Sequence, residues 1–195
     1  MNVVVVGGCG HVGLPLGMLL ADRGCKVHLL DVDPARVQSV NAGRMPFLEA
    51  NAGPLLNKVI GRSLDATLDS ACLREADVAI TVVGTPVDEH LNPTGSTIYK
   101  SVDRLLEEMC DDSLLILRST VYPGVTKLVY ERIQKWGRRI HLAFCPERIA
   151  EGKAIEELRT LPQIIAAFAA CSGCAGTQSV PHSHPNNHRI IAARG

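Results

Sequence analysis

"VVVVGGCGHVG", residues 3–13, decides the fold. A β-branched run with the length of a fully buried strand breaks into glycines, and an apolar helical pattern follows over residues 13–23. Gly8, Gly10 and Gly13 keep the G-x-G-x-x-G spacing of a dinucleotide-binding turn. In such a turn the first glycine allows a tight bend and the second lets a pyrophosphate reach the backbone. The third lets helix and strand pack closely. The helix N-terminus adds free N–H groups and a positive dipole end. The candidate cofactor contacts here are Gly8, Cys9, Gly10, His11, Val12 and Gly13. Glycines after a strand are often only a turn, so the surroundings carry the reading. A second strand, residues 26–31, ends in Asp31, near the spacing of about 20 residues expected for a ribose-binding acid. A carboxylate there accepts from a ribose 2′-hydroxyl and repels a 2′-phosphate, which favours NAD over NADP. Arg36 is placed either to reach the adenosine end or to stand in solvent on its helix.

Outward from this turn, strands alternate with helices. "DPARVQSVNAG" (33–43) reads as a helix opened by Asp33 with Pro34 in its first position. Further strands are expected over 78–83, 114–119 and 141–144, and helices over 98–109 and 125–136. Strands apolar on both faces and separated by helices imply an α/β fold, a Rossmann-like doubly wound parallel sheet.

Composition narrows the function. The 195 residues hold 20 basic and 20 acidic side chains, so nothing in the net charge calls for nucleic acid or an anionic membrane. The apolar fraction of 46% is that of an ordinary globular domain. Residues 1–21 are apolar enough to suggest a membrane span or a signal sequence. They lack a basic leading region, however, and glycines and Pro15 interrupt them. Seven scattered cysteines without a signal peptide suit reduced thiols, and a cytoplasmic protein is expected.

Three more stretches extend the pattern: "VGTPVDEHLNP" (83–93), "RSTVYPG" (118–124) and "CPERIAEGKA" (145–154). Together with "GCGHVGLP" they resemble the UDP-glucose/GDP-mannose dehydrogenase family over residues 1 to about 165, in the family's order. The wording is closest to its UDP-N-acetyl-D-mannosamine dehydrogenases. The resemblance implies oxidation of a nucleotide-sugar's primary alcohol to a carboxylate by two hydride transfers to two NAD. UDP-glucose and GDP-mannose are the alternative substrates. It further implies an N-terminal NAD domain, a connecting helix through which the family forms homo-oligomers, and a sugar-binding domain. A cysteine of that last domain carries a thiohemiacetal and then a thioester.

Carried over residue by residue, the resemblance places Gly8, Gly10, Gly13, Asp31 and Arg36 on NAD. Thr85 and Pro86 fall on a loop beside the cofactor, and Ser119, Thr120 and Val121 on the strand end near the nicotinamide. Glu147 falls on the family's catalytic glutamate, and Glu151 on a contact to cofactor or substrate. His11 stands where many members have an aromatic residue. Thioester hydrolysis needs a base to activate water, a task for a partly desolvated carboxylate such as Glu147. Thr120 would hold that water or a sugar oxygen. Without the family context, Glu147 reads equally as a helix first-turn acid and Thr120 as a strand former.

No cysteine here matches the family's nucleophile. Cys145 lies beside Glu147, but its position varies in the family and reads as a small buried thiol. No acidic residue follows Glu157, and periodicity fades from about Ala166, although residues 161–168 still resemble the family's last NAD-domain strand. The division expected is therefore an NAD domain over 1–165, incomplete at its end, and an atypical tail over 166–195. "CSGCAGTQSVPHSHPNNH" (171–188) has cysteines and histidines near zinc-ligand spacing but lacks the longer gap and apolar residues of a finger. A disordered or frame-shifted tail in a truncated chain, with no metal, is the expectation.

Overall fold

The structure is a computed structural model that describes residues 1–83, 95–121 and 123–168. Among these residues seven strands form one sheet in the order β3-β2-β1-β4-β5-β6-β7. They are β1 (Asn2–Val6), β2 (Lys26–Leu30), β3 (Leu64–Thr67), β4 (Val78–Thr81), β5 (Leu114–Leu117), β6 (His141–Phe144) and β7 (Ala166–Phe168). The first six pair parallel, and the order reverses between β1 and β4, the doubly wound arrangement expected. β7 runs antiparallel against β6, Ala166 beside Phe144 and Phe168 beside Leu142. The sheet therefore continues past the division at residue 165 that composition suggested. Losing acidic residues does not stop a run of small apolar ones from pairing at a sheet edge.

Among the described residues six α-helices cover the sheet: α1 (Gly13–Asp22), α2 (Pro34–Asn41), α3 (Ala52–Val59), α4 (Gly95–Glu108), α5 (Val125–Lys135) and α6 (Ala154–Thr160). β1 shows why both faces need cover. Val3 and Val5 join the core shared with α1, α2, α3 and Ile155, while Val4 joins the core under α4 and α5. Each of these valines is at most 1% exposed, worth about 1.5–3 kcal/mol apiece. α2 starts as its sequence requires, the Asp33 carboxylate accepting from the N–H groups of Ala35 (2.9 Å) and Arg36 (3.2 Å). On the other face Arg132 grips Asp103 with two bonds, at 2.7 and 2.5 Å. Arg138 binds Asp111 and donates to the carbonyls of Leu106 and Met109, which caps the end of α4.

Two glycines without a left-handed φ are set by one side chain. A Cβ on Gly17 would lie 2.5 Å from Leu29 Cδ2, and one on Gly8 would lie 2.7 Å from Leu29 Cβ. Leu29 is fully buried between them. Among the described residues, no helix is long and apolar enough to cross a membrane.

Candidate functional site

The exits of β1, β4, β5 and β6 meet at the carboxyl edge of the sheet, where open α/β sheets bind ligands. At the exit of β1 the left-handed residue is Gly7 (φ +80°), packed against Val82 and Val83 beyond β4. The bend therefore belongs to Gly7, while Gly8 is glycine because a Cβ would strike Val5 O (2.7 Å) and Leu29. Gly13 has the packing role expected, since a Cβ would sit 2.6 Å from Gly7 O and 2.7 Å from Gly8 Cα. Gly10 differs from both. Its added Cβ would meet nothing closer than Gly7 O at 3.6 Å and Arg36 Nη1 at 4.0 Å, and its φ is not left-handed. Among the described residues no atom forbids a side chain at residue 10, and the space above its backbone is open.

The neighbouring donors agree with this. Among the described residues the N–H groups of His11, Val12 and Gly13 donate to no protein acceptor. They form the open start of α1, which Val12 precedes without a side-chain cap. Cys9 offers only its backbone, because its side chain is fully buried and burial, with Asp31 behind it, pushes the thiol up to about 12. The His11 ring packs on Phe47 (centroids 4.0 Å apart, tilted 30°), and its Nδ1 is buried with no partner among the described residues.

Asp31 does more than the sequence indicated. One carboxylate oxygen accepts from Cys9 N–H (2.9 Å) and the other from Val32 N–H (2.8 Å) and Asp33 N–H (3.2 Å). It fixes the glycine turn to the end of β2 and still presents free lone pairs. Arg36 leans toward the turn, its Nε 3.3 Å from Asp33. Val32 beside it is 95% exposed, an apolar surface at the mouth of the site.

Across the edge, Ser119 Oγ donates to Val83 O (2.5 Å), tying the exit of β5 to that of β4. Thr120 is exposed and Val121 half-buried. Glu147 N–H donates to Arg118 O (2.9 Å), which holds the exits of β5 and β6 side by side. The Glu147 carboxylate is taken up on both oxygens. Oε2 accepts from Arg118 Nε at 2.6 Å, and Oε1 from the N–H groups of Arg148 (2.7 Å) and Ile149 (3.0 Å). This is an oriented, charge-assisted arrangement rather than a carboxylate free to swing. Glu151 is exposed at the rim. Cys145 is buried, its Sγ accepting from Arg118 Nη1 at 3.0 Å; burial pushes its thiol up against the opposing pull of Arg118.

Thr85 and Pro86 lie outside the described residues, as do the cysteines and histidines of residues 171–188. Among the described residues no group of three His, Cys, Asp or Glu side chains is placed to hold a metal ion. Gly7, Phe47, Glu49 and Arg118 are the contributors that pattern reading passed over. Of these only Arg118 had a signal, standing first in "RSTVYPG". Glu49 Oε1 accepts from Ile155 N–H (3.3 Å), fastening residues 44–51 to α6.

The model of the "UDP-glucose/GDP-mannose dehydrogenase family, NAD binding domain" matches residues 1–172. The chain belongs to this family. It is 32% identical over 164 residues to the UDP-N-acetyl-D-mannosamine dehydrogenase of Methanococcus aeolicus, a match covering 81% of this chain and 36% of the relative. It is 28% identical over 159 residues to the UDP-glucose 6-dehydrogenase of Rickettsia conorii, covering 80% and 37%. The structure of UDP-D-ManNAc dehydrogenase from Pyrococcus horikoshii superposes with a TM-score of 0.79 at 26% identity, covering 87% of this chain and 42% of that one. The chain thus spans little more than a third of the length of the curated relatives it matches. The open space over Gly10, the N–H groups at the start of α1 that have no partner among the described residues, and Arg36 lie together at this edge of the NAD-binding domain.

Proposed function

We propose that this chain is the cofactor-holding part of an NAD-dependent nucleotide-sugar 6-dehydrogenase. The proposed reaction takes the primary alcohol of UDP-N-acetyl-D-mannosamine to the uronate with two NAD. The space over Gly10 carries the cofactor half of this reading, since a Cβ there would meet no atom of the described residues closer than 3.6 Å. The substrate half rests on similarity to the Methanococcus aeolicus enzyme at 32% identity. NAD supplies the hydride acceptor when bound.

The chain's own residues would divide the remaining work. The start of α1 and Arg36 bind the pyrophosphate, and Asp31 accepts from the ribose. Ser119 and Val121 border the nicotinamide end, and Thr120 presents its hydroxyl to the sugar or to water. Glu147, aimed by Arg118, accepts a proton from that water through its remaining lone pair, and Glu151 meets cofactor or sugar at the rim. Thr85 and Pro86 would complete the cofactor's cover.

A second reading, an NAD-holding chain that does not turn over sugar alone, is favoured by the thiols. Burial pushes Cys9 to about 12 and Cys72 to about 11 and raises Cys145 as well, so none of the three offers a thiolate near neutral pH. Calorimetric titration with NAD, beside NADH formation with UDP-N-acetylmannosamine, UDP-glucose and GDP-mannose, separates the readings. Binding without turnover is expected of this chain. Turnover that Cys145→Ala abolishes would make Cys145 the nucleophile and reject the second reading. Absence of NAD binding would reject both.

A further inference from the structure

A cleft of about 560 Å³ opens between α1 and α6, within the size range of small-molecule sites. It follows α1 from Leu16 to Arg23, away from the glycine turn, and no proposed cofactor contact lines it. Leu16, Leu20, Leu158 and Leu161 give it apolar walls. Its floor is Arg118, whose side chain is only 6% exposed. Nε of that guanidinium is held by Glu147 and Nη1 by Cys145 and Gln163 Oε1 (3.1 Å). Nη2 is buried and has no partner among the described residues. A buried guanidinium nitrogen with both N–H bonds unmet is costly, and a cavity beside it is where an acceptor would relieve that cost.

The rim is cationic too. Arg23 makes no ion pair or side-chain hydrogen bond among the described residues. Arg159 comes no nearer than 4.0 Å to Asp22, whose other oxygen is taken by Lys58 at 2.5 Å. The lining holds Arg23, Arg118 and Arg159 and no acid; behind it Glu147 pairs with Arg118, and Asp22 pairs with Lys58, so positive charge is in excess.

We propose that this cleft is a second ligand site, distinct from the cofactor's, for an organic oxyanion on an apolar body. The carboxylate or phosphate head sits on Arg118 Nη2, Arg23 and Arg159 flank it, and the apolar part lies along the leucines. The occupant is then one residue from Glu147, joined to it through the same guanidinium. This inference does not depend on the proposed substrate.

The test uses the whole chain and calorimetric titration with octanoate and with octyl phosphate, which distinguish the two heads. Octanol and inorganic phosphate are the controls. Binding of at least one octyl anion at one per chain is expected, with octanol and inorganic phosphate each weaker by about tenfold or more. Leu20→Trp, which fills the cleft, should abolish that binding and leave the NAD titration unchanged. Arg159→Ala, at an exposed position, should weaken it about two- to fivefold. The Arg118 Nε–H resonance should move as the anion binds, a readout that needs no substitution. The proposal is overturned if neither octyl anion binds, if NAD competes with them, if octanol binds as tightly, or if Leu20→Trp and Arg159→Ala both leave binding unchanged.

Discussion

Alanine at residue 10 and alanine at residue 13 should fail in different ways. In Gly13→Ala the new methyl would lie 2.6 Å from Gly7 O and 2.7 Å from Gly8 Cα, both backbone atoms with little room to yield. Overpacking of this kind costs about 1–3 kcal/mol. For a domain of this size each kcal/mol moves the melting temperature by about 2–4 °C, so a drop of roughly 2–12 °C is expected. In Gly10→Ala the methyl has 3.6 Å of clearance and an ordinary φ, so stability should hold or rise by up to about 1 kcal/mol. The same methyl fills the space over the backbone where the pyrophosphate would lie. Losing one charge-assisted hydrogen bond of about 1.5–3 kcal/mol weakens NAD about 10- to 100-fold. Thermal melts of both variants, beside NAD titrations, measure the contrast. If Gly10→Ala melts as low as Gly13→Ala, or binds NAD within twofold of wild type, the assignment of that space to the cofactor is wrong.

Asp31→Asn keeps an oxygen for the Cys9 N–H and removes the charge that repels a 2′-phosphate. Affinity for NADP relative to NAD should rise roughly tenfold, and an unchanged ratio in paired titrations would remove Asp31 from cofactor discrimination. Acid should weaken the α4–α5 face. The Arg132 guanidinium holds the Asp103 carboxyl below its ordinary 3.8, so this contribution is present above about pH 4 and drains as pH falls below it. Urea midpoints taken from pH 6 down to 2 should fall less steeply in Asp103→Asn, and equal slopes would show the pair to be inert.

The elements that pattern reading found have long apolar runs or clear ends. β1 ends where the glycines begin, and α2 begins at the Asp33-Pro34 signal. β3 is four residues, "LDAT", with an acid inside it, and its burial alternates. It exists because Val27 to Leu30 give it a partner, which no local pattern reports. α3 hides behind Ala-Gly-Pro and is entered through Asn51 in a left-handed conformation, with no side-chain cap to announce it. At the site, spacing located Gly8, Gly10 and Gly13 but gave the bend to Gly8, because it passes over Gly7, whose left-handed φ shows only in the structure. The attachment of Glu147 to Arg118 spans 29 residues and becomes visible only when β5 and β6 lie side by side. The residue types of that pair were legible. Their mutual engagement was not.

Leu29 touches no expected ligand, yet the glycine turn and the body of α1 both close on it, through Gly8 and Gly17. Its shape is therefore shared by cofactor turn and core, and neither can drift without the other. A library randomising residue 29 should report it as if it were a site residue, with losses of NAD binding accompanying losses of fold. Smaller side chains at 29 should also make room for alanine at 17, so the double variant Leu29→Val with Gly17→Ala should be more stable than the two single effects added together.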